Sequence, residues 1–191
     1  DVCLWLEKNT AKFDIVVVPD FGNGFMSAGM IQKLCKHARF LAVNTQVNSG
    51  NRGYHSISQY SRADFVSLNT PEVRVATHDR HGSVENLAKR IIDQLEAKYL
   101  AVTLGGDGAI LLNKSPETIY RTPALSTKVL DRIGAGDTFL SLTGLCLGRG
   151  LDSDIALFVG SAAAALDVQV VCNREPITPV SLYKYIGTLL S

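Results

Sequence analysis

Neither sign of charge is in excess in this sequence: 19 Lys and Arg stand against 18 Asp and Glu in 191 residues, a formal net charge of +1. Such a balance excludes a large nonspecific nucleic-acid or anionic-membrane surface. Long hydrophobic runs are missing too. Stretches such as 15–19 and 162–166 fall far short of the roughly 20 apolar residues that cross a bilayer. Four cysteines, Cys3, Cys35, Cys146 and Cys172, lie far apart without a C-x-x-C pair, so neither a zinc knuckle nor a disulfide framework is expected. These absences predict a reduced, soluble, cytoplasmic protein. There is no G-x-x-x-x-G-K-[ST], so a P-loop nucleotide site is excluded. Gly22-Asn-Gly24 begins the G-x-G-x-x-G of a dinucleotide fold, but Ser27 replaces its last glycine, and no acid closes the second strand.

Hydrophobic residues make up 46% of the chain and charged residues 19%, enough for a core within one domain. The chain opens Asp1-Val-Cys-Leu-Trp-Leu-Glu7, with no methionine, basic segment or cleavage pattern. This reads as the end of an amphipathic helix, and the expectation is that residues upstream were lost. Trp5 and Leu6 are expected to pack on the sheet, or on upstream residues that were lost. The β-branched run 15–18 predicts a strand buried on both faces, ended by the turn-rich segment 19–24. Apolar residues at Met30, Ile31, Leu34 and Cys35 predict a helix over 26–37. Strands are expected at 40–43, 65–68 and 99–104, a hairpin at 109–112 and 118–121, and helices at 84–97, 135–147, 154–166 and 178–190. Alternating strands and helices predict an open, mostly parallel sheet in a three-layer α/β/α arrangement.

Chemistry concentrates in Asp131-Arg-Ile-Gly-Ala-Gly-Asp-Thr-Phe139. Gly134 and Gly136 lack Cβ atoms, so a phosphate can sit against the backbone. A helix starting near Ala135 aims its unpaired amides and positive dipole end at that phosphate. Asp137 in the first turn would repel an anion, unless its carboxylate takes a proton from a hydroxyl while the amides stabilise the phosphoryl group. The plainer reading is a glycine-rich loop in which Asp137 is only a favourable helix-end charge, worth a few tenths of a kcal/mol. The catalytic reading requires an accessible residue 137 and unblocked amides beside it.

Gly134-Ala-Gly-Asp137, with Asp131 before it and Phe139 after it, resembles the C-terminal signature of the ribokinase-like (PfkB) carbohydrate kinases. Three further segments agree in order: Asn69-x-x-Glu72 is similar to the family's N-x-x-E, Thr103-Leu-Gly-Gly-Asp-Gly108 to its T-L-G-x-x-G, and Ser161-Ala-Ala-Ala-Ala165 to its alanine-rich helix near the adenine. The resemblance implies a ribokinase-like fold and transfer of the ATP γ-phosphoryl group to a sugar or sugar-acid hydroxyl. Asp137 would be the general base, and Gly134, Ala135 and Gly136 the anion hole. Asn69 and Glu72 would place Mg²⁺ and the phosphates. Thr103, Gly105, Gly106, Asp107, Gly108 and Ser161 would contact the nucleotide. Asp131 and the Ile133 carbonyl match positions that hold a monovalent cation such as K⁺.

Departures accompany the match. Arg132 stands where threonine is frequent, Ser161 where asparagine or histidine is frequent, and Cys172 where glycine is common in the cation loop. Asp20-Phe-Gly-Asn-Gly24 resembles the D-Y-x-K-G of heptose-phosphate kinases, with Asn23 in place of the lysine that would meet a phosphorylated substrate. The family's N-terminal sugar site and small β-sheet lid have no counterpart in these residues. Asp1–Ser191 is thus expected to be the C-terminal, nucleotide-binding and catalytic part of such a kinase, with little turnover by itself and lid-mediated dimerisation only in the longer protein. The competing reading is a noncatalytic kinase-like module, part of a larger or fused protein, that binds nucleotide or a partner. His78 and His81 lack a third ligand and read as a solvated turn. Asn44, Asn48, Asn51 and Arg52 fall at the end of the second strand, where they could meet a ligand or simply form a polar loop. Cys35 and Cys146 read as small core residues.

Overall fold

The computed structural model describes residues 1–48, 50–51, 54–126, 129–170, 174 and 176–191. Cys172 and Arg52, read above as part of a cation loop and of a polar cluster, lie outside the described residues. Six strands follow one another in space as in sequence: β1 (Val16–Asp20), β2 (Leu41–Thr45), β3 (Phe65–Asn69), β4 (Tyr99–Thr103), β5 (Ala109–Asn113) and β6 (Thr118–Thr122). β1 to β4 pair in parallel, and the β5–β6 hairpin closes one edge antiparallel, as the alternation predicts.

Helices cover both faces. α1 (Val2–Asn9), α2 (Ala28–His37), α3 (Thr70–Thr77) and α4 (Val84–Gln94) flank a core built on Leu41, Val43, Val66, Leu68, Leu100 and Val102. The alternate residues Ala42, Phe65, Ala101 and Leu111 face the other way, onto α5 (Ala135–Gly148) and α6 (Ser153–Asp167). α7 (Pro179–Leu189) packs outside α6. The period-2 split of each strand thus feeds two cores at once. α5 and α6 approach so closely that a Cβ on Gly160 would fall 1.9 Å from Thr143 Oγ1.

Two expectations are corrected. β1 is an edge strand, not one buried on both faces: Val16 and Val17 are half-buried, and Pro19 lies within the strand rather than ending it. An edge strand has a neighbour on one side only, and it tolerates a residue without an amide hydrogen. Trp5 is 54% exposed and does not pack on the sheet, whereas Leu6 does reach the core. Among the described residues no helix is long and apolar enough to cross a membrane.

Candidate active site

Helix caps place the functional side chains. Asn69 ends β3 and caps α3: its side chain accepts from the Glu72 amide at 2.9 Å, and Glu72 Oε2 accepts from the Asn69 amide at 2.8 Å. Pro71 sits in the first turn, where no amide donor is needed. Glu72 Oε1 also accepts from the Val47 amide at 3.2 Å. The N-x-x-E segment is therefore a reciprocal cap that also fastens the chain leaving β2 to α3. Burial raises the Glu72 pKa above its ordinary value, against the lowering effect of the Asn69 and Val47 amides and the Asn44 side chain.

At α5 the cap is of the opposite kind. Gly134 occupies the N-cap at φ +91°, a conformation open to glycine, and offers no side-chain acceptor. The Thr138 amide closes the first helical bond, onto the Gly134 carbonyl at 2.9 Å, so the amides of Ala135, Gly136 and Asp137 lead the helix without intrahelical partners. Nothing lies within 4 Å of a Cβ built on Gly136. Asp137 is half-buried, and its Oδ1 is enclosed without a hydrogen-bond partner. Burial first, and then the charge of Asp167, push its pKa above the ordinary 3.8.

A cleft of about 650 Å³ opens over the C-terminal ends of β2, β3 and β4, where open α/β sheets hold ligands. It gathers Asn69, Glu72, Thr103, Gly105, Gly106, Gly108, Ala135, Gly136 and Ser161, together with Asn44 and Arg132. Asp107, Asp131, Ile133, Gly134 and Asp137 are not part of its lining; Asp137 adjoins it through Gly136. The glycines after β4 divide by role. Gly105 and Gly106 have open space where a Cβ would point, whereas a Cβ on Gly108 would fall 2.0 Å from the Thr122 carbonyl oxygen. Gly108 therefore lets the hairpin close, and the other two leave bare backbone beside the cleft. Ser161 Oγ and Asn44 Oδ1 are buried and unpartnered at the cleft wall.

Other polar candidates serve the chain itself. Asn51 Nδ2 donates to the Phe21 and Gln46 carbonyls at 3.2 and 3.0 Å, and the Asn48 amide donates to Asn51 Oδ1 at 2.8 Å. Asp20 accepts from the Tyr60 hydroxyl at 2.9 Å and from the Gly22 amide at 3.1 Å. His78 is the left-handed C-cap of α3 and is exposed with His81, as a solvated turn requires. Cys35 is buried; Cys146 is half-buried against the α5–α6 core, and burial raises its thiol pKa. Sequence reasoning missed Asp167, which is 5% exposed and has an orphaned Oδ2. The signal was there: an acid interrupting the small-residue buried stripe of α6.

Comparison with known proteins agrees with this fold. The profile of the pfkB family carbohydrate kinases matches residues 6–179. The bifunctional protein HldE of Magnetococcus marinus is 30% identical over 180 residues, covering 93% of this chain and 35% of that protein. HldE of Nitrobacter hamburgensis is 32% identical over 162 residues, covering 82% of this chain and 32% of that one. The chain thus spans about a third of the length of these relatives. Ribokinase from Thermotoga maritima shares the fold at a TM-score of 0.78 and 19% identity, over 95% of this chain and 59% of its own. Phosphofructokinase-2 from Escherichia coli in complex with potassium does so at 0.79 and 17%, over 99% and 62%.

Proposed function

Because the chain belongs to the pfkB family of carbohydrate kinases, we propose that it carries the nucleotide side and the general base of an ATP-dependent phosphoryl transfer to a sugar or sugar-acid hydroxyl. One observation carries this reading: a partly accessible carboxylate with an unpartnered oxygen sits in the first turn of a helix whose leading amides have no side-chain cap.

Asp137 takes the proton of the acceptor hydroxyl as that oxygen attacks the γ-phosphorus and the bond to the bridging oxygen breaks. Its raised proton affinity suits a base. The amides of Ala135, Gly136 and Asp137 receive the charge that develops on the transferring group. The bare backbone at Gly105 and Gly106 and the Ser161 hydroxyl would meet the nucleotide. Both Glu72 oxygens accept backbone amides, so Glu72 and Asn69 fit Mg²⁺ through water, with the orphaned Asn44 Oδ1 beside them. Mg²⁺, when bound, supplies positive charge across the phosphates. Asp131 and the Ile133 carbonyl would hold a monovalent cation next to the anion hole.

The test is Asp137→Asn in the full-length protein that contains this chain. Turnover should fall by about 10²–10⁴-fold, while ATP affinity stays within a few-fold of wild type. An equal loss of nucleotide affinity would overturn the assignment of Asp137 as base. Unchanged turnover would overturn it too, and undiminished nucleotide binding without turnover in either protein would favour the noncatalytic module.

A further inference from the structure

Among the described residues, two charged side chains border the cleft, Glu72 and Arg132. Glu72 is buried, and backbone amides occupy both its oxygens. Arg132 is exposed, and no hydrogen bond or ion pair among the described residues holds it. Guanidinium groups elsewhere find carboxylates: Arg62 meets Asp64, Arg90 meets Asp79 and Arg121 meets Glu85. The backbone under Arg132, by contrast, is pinned on both sides. The amides of Leu130 and Asp131 donate to the Val168 carbonyl at 2.8 and 3.2 Å, and the Ile133 amide donates to Asp131 Oδ1 at 3.0 Å. A fixed root under a free head lowers the ordering cost of meeting a ligand. Arg132 borders the cleft together with Ala135 and Gly136, whose amides lead α5.

Charge decides what that ligand is. The open end of α5 is worth about half a positive charge, and the acids Asp131 and Asp137 flank it. The terminal phosphates of a nucleoside triphosphate bring several negative charges, which half a charge does not balance. A guanidinium adds a whole one, in a planar fork that meets two phosphate oxygens at once. The threonine frequent at this position in the family signature has neither the charge nor the fork.

We propose that Arg132 pairs with the terminal phosphates of the nucleotide and sets the preference of this cleft for a triphosphate over the bare nucleoside. The inference rests on the proposed nucleotide reading of the cleft, and on the unpaired guanidinium for the part Arg132 plays. Arg132 is then a specificity residue for the phosphate donor, separate from the proton transfer at Asp137.

Calorimetric titration of the full-length protein that contains this chain tests it, with Mg²⁺ present and sugar absent. The probes are the non-hydrolysable triphosphate analogue AMP-PNP and adenosine. Arg132→Met should weaken AMP-PNP binding about 10–100-fold and leave adenosine within about twofold of wild type, and Arg132→Lys should fall between the two proteins. Wild-type affinity for AMP-PNP in Arg132→Met, or an equal loss for both probes, would overturn the proposal. A second measurement needs no variant: the Arg132 Nε–Hε resonance in ¹H–¹⁵N NMR spectra should move on addition of AMP-PNP and stay in place with adenosine. A resonance unmoved by AMP-PNP would overturn the proposal equally. A wild type that binds neither probe would overturn the nucleotide reading itself. Both readouts are binding alone, so they can fail while the Asp137→Asn kinetic test succeeds, and the reverse.

Discussion

Asp64 and Asp137 are acids at opposite ends of the sheet, and their surroundings differ in a way that separates folding from chemistry. Asp64, just before β3, accepts from the Leu41 amide at 2.9 Å, from Arg62 Nη1 at 2.7 Å and from Lys98 Nζ at 3.1 Å. Its own carbonyl receives the Lys98 and Tyr99 amides at 3.0 Å each. At the other end Asp137 Oδ1, Asp167 Oδ2, Asn44 Oδ1 and Ser161 Oγ are all buried without a partner. Buried polar groups are normally satisfied. Thr10 Oγ1 and His37 Nε2, near the starts of β1 and β2, and Thr143 Oγ1 in α5 are unpartnered as well, so the contrast lies between the two acids themselves: Asp64 is fully engaged, whereas Asp137 keeps an oxygen open. Glu72 breaks the pattern, since it belongs to the same end as Asp137 and yet both its oxygens are engaged.

Beyond the loss of turnover expected for Asp137→Asn, the comparison can be sharpened by stability. The largest such effect is expected for Asp64→Ala, about 2–3 kcal/mol by urea unfolding, because it strands the Leu41 amide and two cations. The figure is held down because Arg62 and Lys98 are 32% and 64% exposed and can rehydrate. A cost under half a kcal/mol would remove the contrast. Glu72→Ala should cost less, about 1–2 kcal/mol, through the lost cap and the stranded Val47 amide, with faster amide exchange at Val47 and Asn69. A variant as stable as wild type would show Glu72 to be a ligand-side group after all.

The smallest effect is a matter of pH. Burial and then Asp167 hold the Asp137 pKa above 3.8, so the folded chain keeps a proton that the unfolded chain has released. The stability this group contributes is present at low pH, and it is lost as pH rises from 3.8 through the raised value. Asp137→Asn should therefore gain on wild type across that window and stay ahead at neutral pH. Parallel pH profiles for the two proteins would contradict it.

Much of this was legible beforehand. Strand and helix positions followed from periodicity, and the caps found at Ser83 and Asn69 are chemistry local to a few residues: each side chain accepts from the amide three positions on, at Asn86 and Glu72. The hairpin at the sheet edge was legible for the same reason. What escaped was set by neighbours distant in sequence. The run 16–18 looks the same whether one strand or two flank it, so the edge position of β1 was hidden. Asp167 needed α5 and α6 to be brought together before it became a neighbour of Asp137. The second tie of Glu72, to Val47 across 25 positions of chain, leaves no mark in the N-x-x-E motif.

That tie has a mechanical consequence. One carboxylate fastens the segment after β2 to the first turn of α3, so this side of the cleft is tied to the centre of the sheet. A nucleotide entering under the proposed reaction would then meet one fastened side and, facing it, the border at Pro123, Ala124 and Leu125. Such asymmetry would make one rim of the doorway a fixed jamb, and leave to the other whatever movement sets the pace of exchange.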